Sequence, residues 1–253
     1  HHRPMFKSIL FFLLITFSDL IWGCDLVVRI EDYAAQSHRD ENLQWKGIDI
    51  ELTKALLHQA GCSYRFVPVP WGRALKMLEV GELDVMLSVS KTSERTKFAH
   101  FVGPQRIEKI KIVSKANPAI VVSSFSDILK IPLPLGIQEG AYYGDSFNAF
   151  TETLTPADRY FFKVPNNDTK LSLLIKNRIF GFLEEQLNIE YEIRHELTPK
   201  DVFIHPVIVN QAPVYFAFSK ASVSKDQLKT IERAFDYLTF SGVFEQILLT
   251  AQN

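Results

Sequence analysis

A cluster of hydroxyl and cationic side chains follows the apolar run at residues 83–87. Ser88, Ser90 and Thr92 supply hydroxyl groups, and Arg95 supplies a planar guanidinium that can hold a carboxylate through two parallel hydrogen bonds. A strand that turns into a helix at such residues also exposes free backbone N–H groups. The segment therefore predicts a binding site for a small anion. The alternative interpretation is a helix N-cap followed by a solvated arginine.

The composition argues against several classes of protein. The 253 residues include 28 basic and 29 acidic ones, so the net charge of −1 lacks the positive excess typical of nucleic-acid binders. Apolar residues make up 47% and charged residues 23%, which are ordinary globular values. The seven histidines and two cysteines lack metal-ligand spacing, and neither a Gly-x-Ser-x-Gly motif nor a phosphate loop occurs. We therefore expect no metal, no cofactor and no nucleic-acid partner.

The first 23 residues have the pattern of a secretory signal peptide. Lys7 gives a basic start, and the apolar stretch at residues 9–17 is too short to span a bilayer comfortably. We expect residues 1–23 to be removed during export and the mature protein to be periplasmic.

The two cysteines, Cys24 and Cys62, leave three interpretations open. Cys24 would carry a lipid if residues 21–24 were a lipoprotein signal, but Trp22 is bulky for such a signal. Each cysteine opens a strand, and one helix lies between the two strands. A right-handed β-α-β unit would place the two strand starts side by side. This pattern favours a Cys24–Cys62 disulfide over lipidation at Cys24 or an unpaired thiol.

Strands and helices alternate in two blocks. In the first block, predicted strands at 26–28, 64–67 and 83–87 enclose helices at 47–60 and 71–79. An extended segment at 110–113 leads to the second block. Its elements are a helix near 124–129, a strand at 133–137, a helix from about 143, a strand at 160–164, a helix capped by Asn167 or Asp168, a strand at 179–183 and a helix at 184–195. A second extended segment, 207–218, precedes helices at 225–239 and 243–250. The pattern predicts an α/β protein with two lobes.

The first block resembles the extracellular solute-binding proteins of family 3, the amino-acid-binding components of ABC importers. Residues 46–52 match the family's helix start, residues 71–84 its W-x-x-x-x-x-x-L-x-x-G-x-x-D stretch, and residues 90–95 its S-x-T-x-x-R motif. Further matches are Phe98 to Pro104 and, more weakly in the second block, 135–140, 176–183 and 214–220.

The resemblance implies a type II periplasmic-binding-protein fold, in which a two-segment hinge joins two α/β lobes. Lobe 1 would comprise residues 24–109 and 211–253, and lobe 2 residues 110–210. The lobes of such proteins close around a ligand. The resemblance therefore implies capture of a small polar carboxylate, an amino acid above all, for delivery to an ABC permease in the inner membrane. We expect the protein to act as a monomer.

The resemblance also implies a set of ligand-binding residues. Arg95 and the N–H of Ser90 would meet the ligand's carboxylate, and Tyr33 and Trp71 would bracket its side chain, unless both are core aromatics. Glu184 stands where the family has an ammonium-binding Asp, although its charge could instead favour a helix start. The full set is Tyr33, Trp71, Ser88, Ser90, Arg95, Tyr142 and Glu184.

The second block departs from the family pattern at two of these places. Ala141 and Tyr142 replace a family hydroxyl, and Glu184 followed by Glu185 replaces the shorter aspartate. The same fold hosts a dehydratase that acts on prephenate-like acids, and catalysis of that kind would need an acid or base such as Glu184, Glu185 or His38. A third function is a ligand sensor that signals to a partner in trans. We expect binding without chemistry.

Overall fold

The computed structural model describes residues 24–156, 159–195 and 202–250. The predicted signal peptide, residues 1–23, lies outside the described residues. The strands are β1 (Asp25–Ile30), β2 (His38–Arg39), β3 (Trp45–Lys46), β4 (Ser63–Pro68), β5 (Val85–Ser90), β6 (Ala99–Lys115), β7 (Leu135–Gln138), β8 (Phe161–Val164), β9 (Gly181–Glu185) and β10 (Val202–Ser219). The helices are α1 (Ile48–Gln59), α2 (Trp71–Val80), α3 (Asp145–Glu152), α4 (Asn167–Ile175), α5 (Gln186–Arg194), α6 (Lys225–Phe240) and α7 (Val243–Thr250). This mixed architecture confirms the predicted α/β class.

One eight-stranded sheet runs through the molecule in the order β4-β1-β5-β10-β6-β9-β7-β8. The outer groups β4-β1-β5 and β9-β7-β8 are parallel. The central strands β10 and β6 are antiparallel to each other and to their outer neighbours. Parallel strands need crossover connections: α1 joins β1 to β4, α2 joins β4 to β5, α3 joins β7 to β8 and α4 joins β8 to β9.

The long strands β6 and β10 connect the two halves of the sheet. They pair from Ala99 opposite Ser219 to Lys115 opposite Val202, so the extended segments predicted at 110–113 and 207–218 are parts of strands of 17 and 18 residues. The proposed lobe boundaries lie opposite each other in this ladder, because Lys109 pairs with Gln211 and Ile110 with Asn210. We keep the names lobe 1 for residues 24–109 and 211–253 and lobe 2 for residues 110–210.

The apolar core is also divided between the two lobes. Two clusters, which include Leu52 and Leu78, take their buried residues from 26–102 and 216–244. Two others, which include Phe147 and Phe182, take theirs from 110–209. Burial of a large apolar side chain contributes about 1.5–3 kcal/mol, so each half of the chain has a hydrophobic core of its own.

Two predicted helix starts on the lobe 2 side are wrong by one or two residues. The N-cap of α4 is Asn166, whose extended backbone lets its side chain accept from the N–H of Thr169 at 3.1 Å, rather than Asn167 or Asp168. The helix predicted from residue 184 begins at Gln186, because Glu184 and Glu185 still pair with β6 as the end of β9. Glu184 is therefore a strand residue and not a helix-start charge.

A disulfide joins Cys24 to Cys62. The register of the sheet explains why the two sulfur atoms meet, since the next residues along the chain, Asp25 and Ser63, are opposite each other in the parallel pair β1-β4. A cysteine sulfur in a disulfide has no valence left for a thioether to lipid.

Candidate functional site

A cavity of about 80 Å³ lies between the lobes. It is lined by residues at or just beyond the carboxyl ends of β1, β5, β7 and β9, which is where open α/β sheets bind ligands. All seven residues proposed from the sequence line it: Tyr33, Trp71, Ser88, Ser90, Arg95, Tyr142 and Glu184. The small volume suits a compact ligand.

Arg95 brings a cation to the cavity wall of lobe 1. The residue is only 8% exposed, and its guanidinium donates to the carbonyl oxygens of Ser90 at 2.9 Å and Gly140 at 3.0 Å. Burial lowers the pKa of Arg95 below its ordinary value, and Glu108 acts most strongly in the opposite direction. Among the described residues no carboxylate forms an ion pair with Arg95. Its remaining N–H groups can therefore bind an anion.

The two serines of β5 have different environments. The Ser88 hydroxyl donates to Asp49 at 2.7 Å and accepts from Arg106 at 3.1 Å, so it is engaged within the protein. Ser88 has a φ of 52° and lies at an irregularity in the β5-β10 ladder. Its N–H donates to the side-chain oxygen of Gln105. The Ser90 hydroxyl, by contrast, makes no hydrogen bond with a described residue, although Ser90 is 7% exposed. Ser90 is thus the better hydroxyl for a ligand.

Trp71 lies where the lobes touch. It is the first residue of α2 and follows Pro70, whose missing N–H costs a helix no hydrogen bond at this position. The indole N–H donates across the cleft to the carbonyl oxygen of Gly140 at 3.2 Å. The guanidinium carbons of Arg29 and Arg95 lie 5.2 and 5.9 Å from the centre of its ring, so Trp71 also stabilises both cations.

Two glycines permit this close contact. Gly140 has a φ of +76°, and a Cβ added there would lie 3.3 Å from the Cα of Gly72 in α2. The turn after β7 therefore needs glycine both for its backbone conformation and for the approach of lobe 1.

Glu184 is nearly buried, and its carboxylate already has partners. One oxygen accepts from the Tyr33 hydroxyl, from the N–H of Glu185 at 2.8 Å and from the Asn188 amide at 3.5 Å, and the other lies 3.5 Å from the Lys170 ammonium. Burial, followed by the charge of Glu184, raises the pKa of Tyr33 well above its ordinary value, so Tyr33 stays a neutral donor. The Tyr33–Glu184 contact joins the two lobes.

Glu185 makes a second contact between the lobes. Its two oxygens accept from the guanidinium of Arg106, and Oε2 also accepts from the Gln36 amide. Both side chains of the Arg106–Glu185 ion pair are at most 6% exposed. Asp49 lies 3.7 Å from the Arg106 Nε, and the two carboxylates hold the pKa of Arg106 above its ordinary value despite the cost of burial.

Tyr142 and His38 lie further from the centre of the site. Tyr142 lines the cavity, but its hydroxyl donates to Asp145 at 2.6 Å, and this hydrogen bond raises the pKa of Tyr142. His38 is not among the cavity residues; its Nδ1 lies 2.8 Å from the carbonyl oxygen of Ala34, and its ring packs on Tyr191. The candidate acid His38 is therefore not positioned for chemistry in this cavity.

Sequence reasoning missed several charged residues of the cavity: Arg29, Glu31, Asp49, Glu108 and Lys170. Arg29 and Glu31 form an ion pair at the end of β1. Glu108 and Ile110, two residues apart on β6, both line the cavity, so alternation within the extended segment could have identified Glu108.

The chain matches the model of the family "bacterial extracellular solute-binding proteins, family 3" over residues 26–249. A comparison with curated protein sequences gives no significant match. Within the described residues, no helix is both long and apolar enough to cross a membrane.

Several solved structures share the fold. An ancestral arginine-binding protein bound to arginine is 21% identical, with a TM-score of 0.76 over 89% of this chain and 97% of that one. The amino acid ABC transporter substrate-binding protein AbpA from Streptococcus pneumoniae, bound to L-arginine, is 22% identical, with a TM-score of 0.75 over 90% and 94%. AncCDT-1, an ancestral amino acid-binding protein and precursor of cyclohexadienyl dehydratase, is 22% identical, with a TM-score of 0.74 over 90% and 96%.

These structures have the periplasmic-binding-protein architecture of type II that the family resemblance implied. The family match covers the whole described body of the chain, from the first strand to the last helix. The chain belongs to the bacterial extracellular solute-binding proteins of family 3.

Proposed function

We propose that this protein captures an amino acid or a related small carboxylate between its lobes and delivers it to an ABC permease of the inner membrane. The observation that carries the proposal is the buried Arg95, a cation at the cavity that has no acidic partner among the described residues. A buried cation is costly unless it is paired, and a ligand carboxylate would supply the missing partner. The Ser90 hydroxyl would donate a hydrogen bond to the same carboxylate.

The other proposed ligand residues act around this contact. Tyr33 and Trp71 present aromatic surface from lobe 1, Tyr142 and Glu184 border the cavity from lobe 2, and Ser88 supports Asp49. Solved relatives in complex with amino acids support this choice of ligand class.

Glu184 and Glu185 are poor candidates for the dehydratase-like alternative, and binding without chemistry is part of the proposal. The carboxylates of Glu184 and Glu185, the cavity acids that sequence analysis offered for catalysis, have all their oxygens engaged by protein donors. A general acid or base needs a lone pair or proton that can reach the substrate. The same proposal includes export directed by residues 1–23, a periplasmic location and a monomeric state. The alternative function is a ligand sensor that signals to a partner in trans.

A thermal-shift screen against the twenty L-amino acids and small carboxylates tests the function, because a ligand that binds only the folded state raises Tm. We expect at least one amino acid to stabilise the protein and Arg95→Ala to lose the effect. Arg65→Ala, on the exposed face of β4, is the control and should keep it. A screen without any stabilising compound, combined with consumption of prephenate or arogenate, would replace binding by the enzyme function.

A further inference from the structure

Glu108 is the acidic residue of the cavity that has no partner among the described residues. It lies on β6 opposite Ala212, and its side chain lines the cavity next to the boundary between the lobes. No described residue donates a hydrogen bond to its carboxylate or forms an ion pair with it. A carboxylate in such a place needs an external donor or a proton.

The other cavity carboxylates have protein cations or donors. Lys170 and Tyr33 contact Glu184, and Arg106 and Gln36 contact Glu185. Glu31 is paired with Arg29 and keeps one free oxygen. The ammonium site that the family pattern assigns to the Glu184 position is thus already filled by groups of the protein itself.

Glu108 and Arg95 are complementary in charge and are not in contact with each other. Among the acidic groups that act on Arg95, Glu108 has the largest effect, although no ion pair joins them. A guanidinium and a carboxyl group that face one cavity without touching match a ligand that carries both a carboxylate and an ammonium group.

We propose that Glu108 is the specificity-determining residue that binds the α-ammonium group of the ligand, while Arg95 binds its carboxylate. This inference rests on the proposed function, since it assumes that Arg95 holds a carboxylate. The ammonium would lie against the hinge strand β6 rather than against Glu184 or Glu185 of lobe 2. The site then selects zwitterionic amino acids over simple carboxylates.

The protonation of Glu108 supports this role. Burial, with the charge of Glu185 next, raises the pKa of Glu108 to about 8. The ionisable groups that interact electrostatically with Glu108 are Glu184 and Glu185 from β9, Asp49 from α1, Arg106 from its own strand, Arg95, Tyr33 and Tyr143. An ammonium favours the ionised carboxylate, so binding at pH 7 should release a proton from Glu108.

The test compares each L-amino acid that stabilises the protein with its analogue in which hydrogen replaces the α-ammonium. For L-glutamine, L-arginine and L-histidine the analogues are 4-carbamoylbutanoate, 5-guanidinopentanoate and 3-(imidazol-4-yl)propanoate. Calorimetry gives Kd for both ligands with the wild type and with Glu108→Gln, Glu184→Gln and Glu31→Gln. Glu152→Gln, exposed on α3, is the surface control, and circular dichroism verifies that each variant is folded.

We expect the wild type to prefer the amino acid, and Glu108→Gln to weaken amino acid binding about tenfold or more while changing analogue binding less than about threefold. Glu184→Gln and Glu31→Gln should change both Kd values by the same factor. Runs in buffers of different ionisation enthalpy should show proton release in the wild type and none in Glu108→Gln.

Two results would overturn the inference. In one, Glu108→Gln keeps the full preference for the amino acid; in the other, Glu184→Gln or Glu31→Gln removes it. If Arg95→Ala still abolishes binding in either case, the proposed function stands and only the role of Glu108 fails. If no amino acid or analogue binds the wild type, both proposals fail together.

Discussion

Arg106 of β6 and Glu185 of β9 form a two-hydrogen-bond ion pair, and both side chains are almost fully removed from solvent. Within lobe 1, Arg106 also donates to the Ser88 hydroxyl, and its Nε lies 3.7 Å from the Asp49 carboxylate. A single guanidinium thus connects the end of the lobe 2 sheet with α1 and β5 of lobe 1.

Removal of Arg106 should be strongly destabilising. Arg106→Met would leave Glu185 and Asp49 buried without their cation, and loss of one partner of a buried pair costs about 3–5 kcal/mol. Urea unfolding followed by circular dichroism measures the loss. The exposed pair Lys229–Asp226 gives the control, since Lys229→Met should change stability by less than about 0.5 kcal/mol. A loss below about 1 kcal/mol for Arg106→Met would show that the pair does not stabilise the fold.

Substitution of Gly140 should destabilise the contact between the lobes. An alanine Cβ at this residue would press on Gly72 at 3.3 Å, and it would strain a backbone with a φ of +76° by about 1–2 kcal/mol. Gly242 has the same φ of +76° with nothing within 4 Å, so Gly242→Ala reproduces the strain without the contact. Urea unfolding should show a larger loss of stability for Gly140→Ala than for Gly242→Ala. Equal losses for the two variants would argue that the contact with Gly72 is not tight enough to require glycine.

Stability should depend on pH through His205. The ring is fully buried, its Nδ1 accepts from the N–H of Val122 at 2.9 Å, and its Nε2 lies 3.0 Å from the Ser114 hydroxyl. Burial, followed by the charge of Lys111, lowers the pKa of His205 to about 4, from about 6.5 in the unfolded chain. Below pH 6.5 the unfolded state therefore binds more protons than the folded state, so this contribution is complete above pH 6.5 and is lost as the pH falls towards 4.

The size of the His205 effect can be isolated by substitution. At about 1.4 kcal/mol per pH unit, the loss between pH 6.5 and 4 is at most about 3 kcal/mol. In His205→Asn the amide oxygen can replace Nδ1 as acceptor, and the group does not titrate. Urea unfolding at pH 7 and pH 4.5 should show a smaller drop in stability for His205→Asn than for the wild type. Equal drops would mean that other groups dominate the acid response.

The disulfide should stabilise the protein mainly through the unfolded chain. It closes a loop with a sequence separation of 38 residues, for which the loop-entropy model gives about 4 kcal/mol. The double variant Cys24→Ser, Cys62→Ser should unfold at lower urea concentration than the oxidised wild type. Reductant should lower the midpoint of the wild type and leave that of the double variant unchanged. A reductant effect on both proteins would point to a cause other than this bond.

The sequence predicted the order of the elements and much of the cavity. Alternating strands and helices are local patterns, and the segment from Ser88 to Arg95 places its functional groups within a few residues of one another. The partners of the lobe 2 acids could not be predicted in this way. Tyr33 and Glu184 are 151 residues apart, and Gln36 and Glu185 are 149 apart, so only the folded sheet reveals that these groups satisfy each other. Glu108 was missed because it precedes the extended segment predicted at 110–113, and only the full length of β6 places it on the same strand face as Ile110.

The paired strands β6 and β10 have a consequence for how the protein moves. Their ladder runs through both lobes, with irregular register between Ile208 and Asn210, beside the lobe boundary. A β-bulge bends a strand and increases its twist. Opening of the lobes would therefore bend the hydrogen-bonded strands β6 and β10, and would not be a free rotation about flexible loops. The ladder is interrupted at this irregular register, so we expect its amide protons to exchange with solvent sooner than those of the regularly paired residues on either side.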